Sequence, residues 1–98
     1  MSIGKKVLNA EVLSKGSAEG EIGKDIILAE KITPLDTPRI LRAKGVIVEK
    51  GGFLSHVAIY CRELGIPCVR LENATKLLRK GDMVRILESG EIEIRMDS

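Results

Sequence analysis

Short runs of apolar residues separated by turn-forming residues recur along this chain, and their spacing predicts a succession of short strands. A tract rich in Gly and Ser, residues 14–20, is predicted to be a loop. Polar and apolar residues alternate near the C-terminus on both sides of Glu88-Ser89-Gly90, which is typical of a β-hairpin. Strands are expected over residues 6–13, 25–30, 46–48, 66–71, 82–87 and 91–96.

Helices are predicted where a capping residue precedes a run with helical spacing. Thr37 followed by Pro38 favours a helix through Arg42, with Gly45 as its stop. A second helix is expected from Ser55 to Gly65, and a short third one over residues 74–78. The chain is therefore predicted to be an α/β protein, a single compact domain of short mixed strands with two or three helices.

Composition and charge exclude several classes of function. The 98 residues carry 16 basic and 14 acidic side chains, a net charge of +2, and these charges are interspersed without a basic stripe. Aromatic residues make up only 2% of the chain, which leaves few platforms for stacking bases, so no nucleic-acid partner is expected. Since no apolar run approaches a membrane span and the first residues lack a signal-peptide core, we expect a cytoplasmic protein without a membrane partner.

The cysteine pattern argues against a metal centre. Cys61 and Cys68 are not in a CxxC pair, and the chain has a single histidine, so a tetrahedral zinc site would need unusual ligands. In a reducing compartment the two cysteines are expected to be free thiols. We predict neither a metal nor a cofactor.

The chemistry-bearing residues follow the strand that ends near residue 49. Gly51 and Gly52 allow the backbone to bend and to approach a ligand closely, and Ser55 can cap the helix at whose first turn His56 lies. A helix start offers unpaired N–H groups and a partial positive charge, which suits a bound anion. A neutral imidazole is a nucleophile, and this environment would stabilise a phosphoryl group once transferred to His56. A single histidine near a helix start is, however, more often a surface or capping residue.

The helical projection places His56 away from the sheet. Val57, Cys61 and Leu64 recur at i, i+4 and i+7 and are predicted, with Ala58, to face the sheet. His56 is therefore expected to be accessible. Ile59 lies on the exposed side, either as ordinary apolar surface or as part of a surface where a partner's active site docks.

At these residues the chain resembles a known family. Gly51-Gly52-x-x-Ser55-His56-x-Ala58-Ile59, followed by residues 62–67 (Arg-Glu-Leu-Gly-Ile-Pro), is similar to the signature of the phosphohistidine swivelling domain. This is the mobile domain of phosphoenolpyruvate synthase, pyruvate phosphate dikinase and enzyme I of the sugar phosphotransferase system. The resemblance continues over residues 16–20, 25–28 and 80–84, and so covers nearly the whole chain.

The resemblance implies a swivelling β/β/α fold over residues 1–98, with His56 as phosphoryl carrier and Gly51, Gly52 and Ser55 lining the phosphoryl site. Arg62 matches a family arginine and either contacts the phosphate or pairs with Glu63 or solvent. The family's nucleotide-binding and phosphoenolpyruvate-binding domains are absent from these 98 residues. Separately encoded proteins with those functions are therefore the expected partners, and the chain is expected to be a partial phosphotransferase component.

Two other readings stay open at the level of sequence. Leu54 stands where the family usually has Thr, which favours a non-catalytic binding or regulatory module that keeps the swivelling fold without phosphotransfer. The same fold can also serve as an accessory subunit that closes over another enzyme's active site, because fold alone does not determine function.

Overall fold

The computed structural model describes residues 4–96, which contain eight strands and three helices. In chain order the elements are β1 (Gly4–Asn9), β2 (Glu11–Ser14), β3 (Ala18–Glu21), β4 (Ile26–Ala29), α1 (Thr37–Ile40), β5 (Gly45–Val48), α2 (His56–Leu64), β6 (Cys68–Arg70), α3 (Ala74–Leu77), β7 (Met83–Ile86) and β8 (Glu91–Met96). A single 3-10 turn, Pro34–Asp36, precedes α1.

The strands form two four-stranded sheets. The first has the order β1-β8-β7-β3 with every pair antiparallel, and the second has the order β2-β6-β5-β4. In the second sheet β4, β5 and β6 are parallel, whereas β2 runs antiparallel to β6. The parallel strands are connected through α1 and α2, as parallel neighbours require.

Two apolar clusters arrange these elements in three layers. One cluster joins Ile47 and Val69 of the second sheet to Ile86 and Ile92 of the first, so it lies between the sheets. The other covers the opposite face of the second sheet, where α1 and α2 pack through residues such as Ile40 and Cys61. The layers are therefore sheet, sheet and helix, and the predicted β/β/α domain of mixed strands is confirmed.

The single strand predicted over residues 6–13 is partly wrong: most of the segment is extended, but it forms two strands because the chain changes sheets within it. Asn9 ends β1 in the first sheet and Glu11 begins β2 in the second. Ala10 lies between them and donates its N–H to the carbonyl of Gly90 at 2.9 Å. A Cβ on Gly90 would lie 2.5 Å from the Ala10 carbonyl oxygen, so a glycine in the β7–β8 hairpin permits this crossing.

The predicted loop over residues 14–20 is also partly wrong. Its last three residues belong to β3, which pairs with β7 as the edge strand of the first sheet. Gly20 opposes Val84 and is buried there, and a Cβ on it would lie 2.4 Å from that of Asp25. The pairing with β7 overrides the turn-forming composition of the segment.

The first helix is shorter than predicted, and its cap lies elsewhere. Thr37 is the first residue of α1, and the N-cap position is held by Asp36, whose side chain makes no capping bond. Thr33 caps the preceding 3-10 turn: its hydroxyl accepts the Leu35 N–H, and its own N–H donates to the Asp36 carboxylate at 2.9 Å. This main-chain bond is the main cause of a lowered pKa for Asp36. Gly45 is the first residue of β5, so it does not end the helix.

The segments around the central helix agree with prediction. β4, β5 and α2 lie where the apolar runs placed them, and α2 has Ser55 as its N-cap and Gly65 as its C-cap.

Within the described residues, none of the helices is long and apolar enough to cross a membrane.

Candidate functional site

His56 lies beyond the carboxyl end of a buried parallel strand. All four residues of β5 are buried, and the loop 49–55 leads from its end directly into α2. Ligands of open α/β sheets bind in the crevice outside the carboxyl ends of the strands. The topology therefore places the single histidine where such folds build their sites.

Ser55 closes the loop and starts the helix. Its Oγ donates to the carbonyl of Gly52 at 2.7 Å and accepts the N–H of Ala58 at 3.4 Å. Its main-chain N–H donates to the same Gly52 carbonyl at 3.0 Å. Ser55 thus fixes both the tight turn of the loop and the first helical turn of α2, as its predicted capping role requires.

The two glycines of the loop serve different purposes. Gly51 has φ +114°, a backbone conformation that side chains with a Cβ rarely adopt, and a Cβ there would lie 3.1 Å from the Oγ of Ser55. Gly52 has no positive φ, and nothing lies within 4 Å of the position its Cβ would occupy. Gly51 is needed for the turn, whereas Gly52 leaves an open space beside it.

The imidazole of His56 is exposed and oriented by a neighbour on the same helix. It is the first residue of α2, and its ring stacks on that of Tyr60, one turn later, with centroids 5.9 Å apart and planes at 11°. Neither ring nitrogen has a hydrogen-bond partner among residues 4–96. The predicted accessibility of His56 is confirmed, and the stack covers a ring face while leaving the nitrogen edges open.

One part of the predicted helix face is wrong. Val57, Ala58 and Cys61 are buried against the sheet as expected, but Leu64 is 39% exposed. The left-handed Gly65 turns the chain back immediately afterwards, and Ile66 donates its N–H to the Cys61 carbonyl at 2.9 Å. Ile66, and not Leu64, packs against the apolar cluster between the helices and the second sheet.

Arg62 is engaged by partners that the sequence did not indicate. Its Nη1 donates to the carbonyl of Leu13 in β2 at 2.9 Å, and its guanidinium carbon lies 3.9 Å from the centroid of the Phe53 ring. The arginine thus connects the tip of the glycine loop to a strand of the second sheet. Neither Glu63 nor solvent alone accounts for its position.

A carboxylate that sequence reasoning missed holds the start of the same loop. Glu49 follows β5, and its Oε2 accepts the N–H of Thr75 at 2.6 Å and the Thr75 hydroxyl as well. The hydroxyl bond and then the N–H bond lower the pKa of Glu49. An acidic residue directly after a buried strand was the available signal, but its partner on α3 is 26 residues away.

Exposed apolar side chains surround the histidine in sequence. Phe53, Leu54 and Ile59 are 57%, 82% and 42% exposed. Two lie on the loop before His56 and one lies on α2 after it. We call these three residues the apolar collar.

Comparison with known proteins gives a consistent family. The model of the PEP-utilising enzyme mobile domain matches residues 22–88. The rifampicin phosphotransferase of Bacillus subtilis is 38% identical over 85 residues, which are 85% of this chain and 10% of that protein. The phosphoenolpyruvate synthase of Pyrococcus furiosus is 41% identical over 63 residues, which are 63% of this chain and 8% of that protein. The chain thus spans about a tenth of the length of these relatives.

Solved structures share the fold at low identity. One chain of aconitase X from Thermococcus kodakaraensis, in its holo form, superposes with a TM-score of 0.70 at 22% identity, over 91% of this chain and 98% of that one. A UPF0107 protein solved by solution NMR superposes with a TM-score of 0.68 at 16% identity, over 91% of this chain and 98% of that one. These likenesses extend the fold to chains of nearly the same size.

Proposed function

The chain belongs to the mobile domains of phosphoenolpyruvate-utilising enzymes, and on that premise we propose that it carries a phosphoryl group on His56. The observation that supports the proposal most is the open imidazole at the first position of α2, beside the glycine loop. A carrier needs a nucleophilic nitrogen that a donor and then an acceptor can reach, and an exposed ring without hydrogen-bonded nitrogens meets that need.

The transfer itself is a substitution at phosphorus. The lone pair of one ring nitrogen attacks the phosphorus of the donor, an N–P bond forms, and the P–O bond to the leaving group breaks with its electron pair on oxygen. The proton of the neutral imidazole stays on the other nitrogen. The reverse sequence hands the phosphoryl group to an acceptor, so the domain is regenerated.

The helix start supplies the charge stabilisation that the product needs. Among the described residues, the main-chain N–H groups of His56 and Val57 donate to no protein acceptor, while that of Ala58 is capped by Ser55. These groups and the open side of Gly52 give a dianionic phosphoryl group donors and room. Gly51 and Ser55 contribute by shaping the turn.

Arg62 has a positioning role in this proposal. Its bond to Leu13 and its stack on Phe53 hold the loop tip, so its contribution to a phosphoryl site is through the loop. The apolar collar, whose members flank His56 in the loop and on α2, supplies exposed apolar surface suited to docking against a partner's active site.

In this proposal, the sites that bind the phosphoryl donor and the phosphoryl acceptor lie in other proteins or domains. Phosphoryl transfer depends mainly on positioning and on neutralising charge at the transferred group, and this domain provides only the receiving nitrogen and its surroundings. Its partners are proteins or domains that bind a nucleotide and phosphoenolpyruvate. The relatives include a rifampicin phosphotransferase as well as phosphoenolpyruvate synthases, so the family alone does not select the acceptor.

The test is acquisition of a phosphoramidate by the purified chain. It would be incubated with phosphoenolpyruvate labelled on phosphorus, and separately with ATP labelled at the β-phosphate, each with extract of its source cells. His56→Gln is the nucleophile-free variant, and Lys15→Gln is a surface control. The proposal expects label that survives base and is lost in mild acid, on wild type and Lys15→Gln but not on His56→Gln.

Other outcomes would overturn it. Acid-stable label would indicate a phosphoester on another side chain, and label on His56→Gln would exclude the histidine. Absence of label, under conditions that load a complete phosphoenolpyruvate synthase, would leave the chain as a binding module with the family's fold.

A further inference from the structure

β4 is the outer strand of the second sheet, and part of its free edge is unpaired. It pairs along its whole length with β5, in parallel register, and its first residue, Ile26, also forms a parallel bridge with Ile22 on the outer edge. The N–H and C=O of one strand residue point to one edge, and those of the next residue point to the other edge. The carbonyl of Ala29 accepts the N–H of Glu49, on the side of β5. The N–H and C=O of Leu28 therefore point to the open edge, where no described residue pairs with them. Toward the start of the strand, Gly23 covers the edge by donating to the Ile26 carbonyl at 2.9 Å.

A groove runs along this edge. Its volume is about 450 Å³, and three consecutive β4 residues line it, Ile26, Ile27 and Leu28. Successive side chains of a strand point to opposite faces, and these do: Ile26 belongs to the cluster between the sheets, and Ile27 to the cluster beneath the helices. A groove that touches all three must therefore lie against the strand's edge and reach the backbone.

Cationic side chains flank the groove on both faces of the sheet. Arg39 and Arg42 come from α1 and the turn after it, on the face where Ile40 packs with Ile27. Lys24 and Lys80 come from the turns before β4 and β7. The Lys80 stem lies across Gly23, where a Cβ would approach its Cγ to 2.7 Å, so a glycine at this position leaves room for the lysine.

These four residues form what we call the basic rim, and most of its charge is uncompensated. Arg39 pairs with Asp36 at 3.0 Å. Within residues 4–96 the other three, Lys24, Arg42 and Lys80, form no ion pair. None of the described residues that line the groove is acidic, and the chain's net charge of only +2 makes this concentration of cations local.

We propose that the β4 edge and the basic rim bind a short extended segment of an acidic partner polypeptide as an added strand. Its backbone pairs with Leu28, and because its side chains alternate between faces, acidic residues reach the rim on both sides. β4 has only four residues and Gly23 covers the start of its edge, so the paired length is limited to a short segment. The charge complementarity is what selects an acidic occupant.

The binding edge is separate from the site of His56. The groove lies along the outer edge of β4, and none of its described lining residues belongs to the loop 49–55 or to α2. His56 follows the carboxyl end of β5, the parallel neighbour of β4. Cations on an edge strand also act as a device against edge-to-edge aggregation. If the cations serve only to prevent aggregation, the edge should have no affinity for an acidic strand. A binding measurement therefore distinguishes that role from strand addition.

The experiment titrates the whole chain, labelled with 15N, with a blocked hexapeptide of sequence Glu-Glu-Val-Val-Glu-Glu in low-salt buffer. Two matched peptides separate the contributions: one has alternate backbone nitrogens methylated and keeps the charges, and the other has Gln in place of Glu and keeps the backbone. The readouts are amide shifts and hydrogen exchange. The proposal expects slowing of Leu28 amide exchange by about tenfold near saturation with the parent peptide alone.

Variants and a small anion complete the design. Arg42→Glu and Lys80→Glu should each weaken binding by about tenfold, while Lys15→Glu, in the exposed loop before β3, should not. Equal binding of the methylated peptide, or unchanged exchange at Leu28, would overturn strand addition. Displacement of the peptide by equimolar inorganic pyrophosphate would instead make the groove a small-anion site. Failure of the parent peptide to bind in low salt would overturn the proposal outright.

Discussion

The carboxylate of Glu49 accepts both the main-chain N–H and the hydroxyl of Thr75, and so joins the loop before His56 to the beginning of α3. Asn73, the N-cap of that short helix, makes no side-chain capping bond. Glu49 supplies the missing acceptor from a different segment. One side chain thus serves the loop and the helix together.

This relationship predicts a pH-dependent contribution to stability. The folded pKa of Glu49 is lowered, mainly by the Thr75 hydroxyl, so its contribution is present above the unfolded pKa and is lost as pH falls through the folded value. Glu49→Gln should therefore lower the urea midpoint at neutral pH, and the difference from wild type should shrink in acid. Glu88→Gln, in the exposed hairpin turn, is the control. A difference that stays constant with pH would contradict the role of the charge.

The two glycines before His56 should respond differently to the same substitution. Gly51→Ala forces a Cβ into a left-handed backbone and toward Ser55, and should cost about 1–3 kcal/mol of unfolding free energy. Gly52→Ala meets open space and should change it by less than about 0.5 kcal/mol. Chemical denaturation measures both, and equal losses would refute the distinction.

Gly52→Ala also tests the phosphoryl site independently of folding. If the phosphoryl group on His56 occupies the space beside Gly52, the added methyl group should reduce loading although stability is retained. The labelling assay on the folded variant measures this. Wild-type loading would place the phosphoryl group elsewhere around His56.

Arg62 and Phe53 should be energetically coupled. Arg62→Ala removes the bond to Leu13 and the stack on Phe53, and should cost about 1–2 kcal/mol. Phe53→Ala removes the stack alone. A double-mutant cycle on unfolding free energy should give a coupling of about 0.5–1 kcal/mol. Additive losses would show that the stack contributes nothing.

The two cysteines should be protected from alkylation in the folded protein. A hydrogen bond with Cys68 lowers the pKa of Cys61, whereas that bond and burial raise the pKa of Cys68. Both side chains are fully buried, so access and not acidity should control the reaction. Mass spectrometry after iodoacetamide treatment should find no modification at neutral pH and two modifications in urea.

A matched control uses the opposite face of the same helix. Ile59 is 42% exposed, so Ile59→Cys should react at once in the folded state while the native pair stays unmodified. Modification of Cys61 at a comparable rate would show that its lowered pKa outweighs its burial.

The features that could be predicted from the sequence are those that depend on interactions between residues close together in the chain. Ser55 and Gly65 act on their own helix, so both ends of α2 were predictable, as was the buried run of β5. The division between β1 and β2 depends on a bond from Ala10 to Gly90, and no local pattern reveals such a contact.

The candidate site divides in the same way. Sequence indicated His56 and its loop, and the exposure of the imidazole followed from helical spacing. The Leu13 partner of Arg62 lies 49 residues away, and the Thr75 partner of Glu49 lies 26 residues away. Both contacts arise only once the sheet has assembled, so residue type and spacing could not specify them.

The bonds that shape the turn before His56 all run between Gly52, Ser55 and Ala58. The hydrogen bonds inside this turn are therefore local, while Glu49 and Arg62 connect its two ends to α3 and to β2. A carrier built on this turn would hold the phosphoryl group in the same orientation at each partner's active site. Differences in the rate of transfer between partners would then originate in the partners' active sites and not in the orientation of the phosphoryl group.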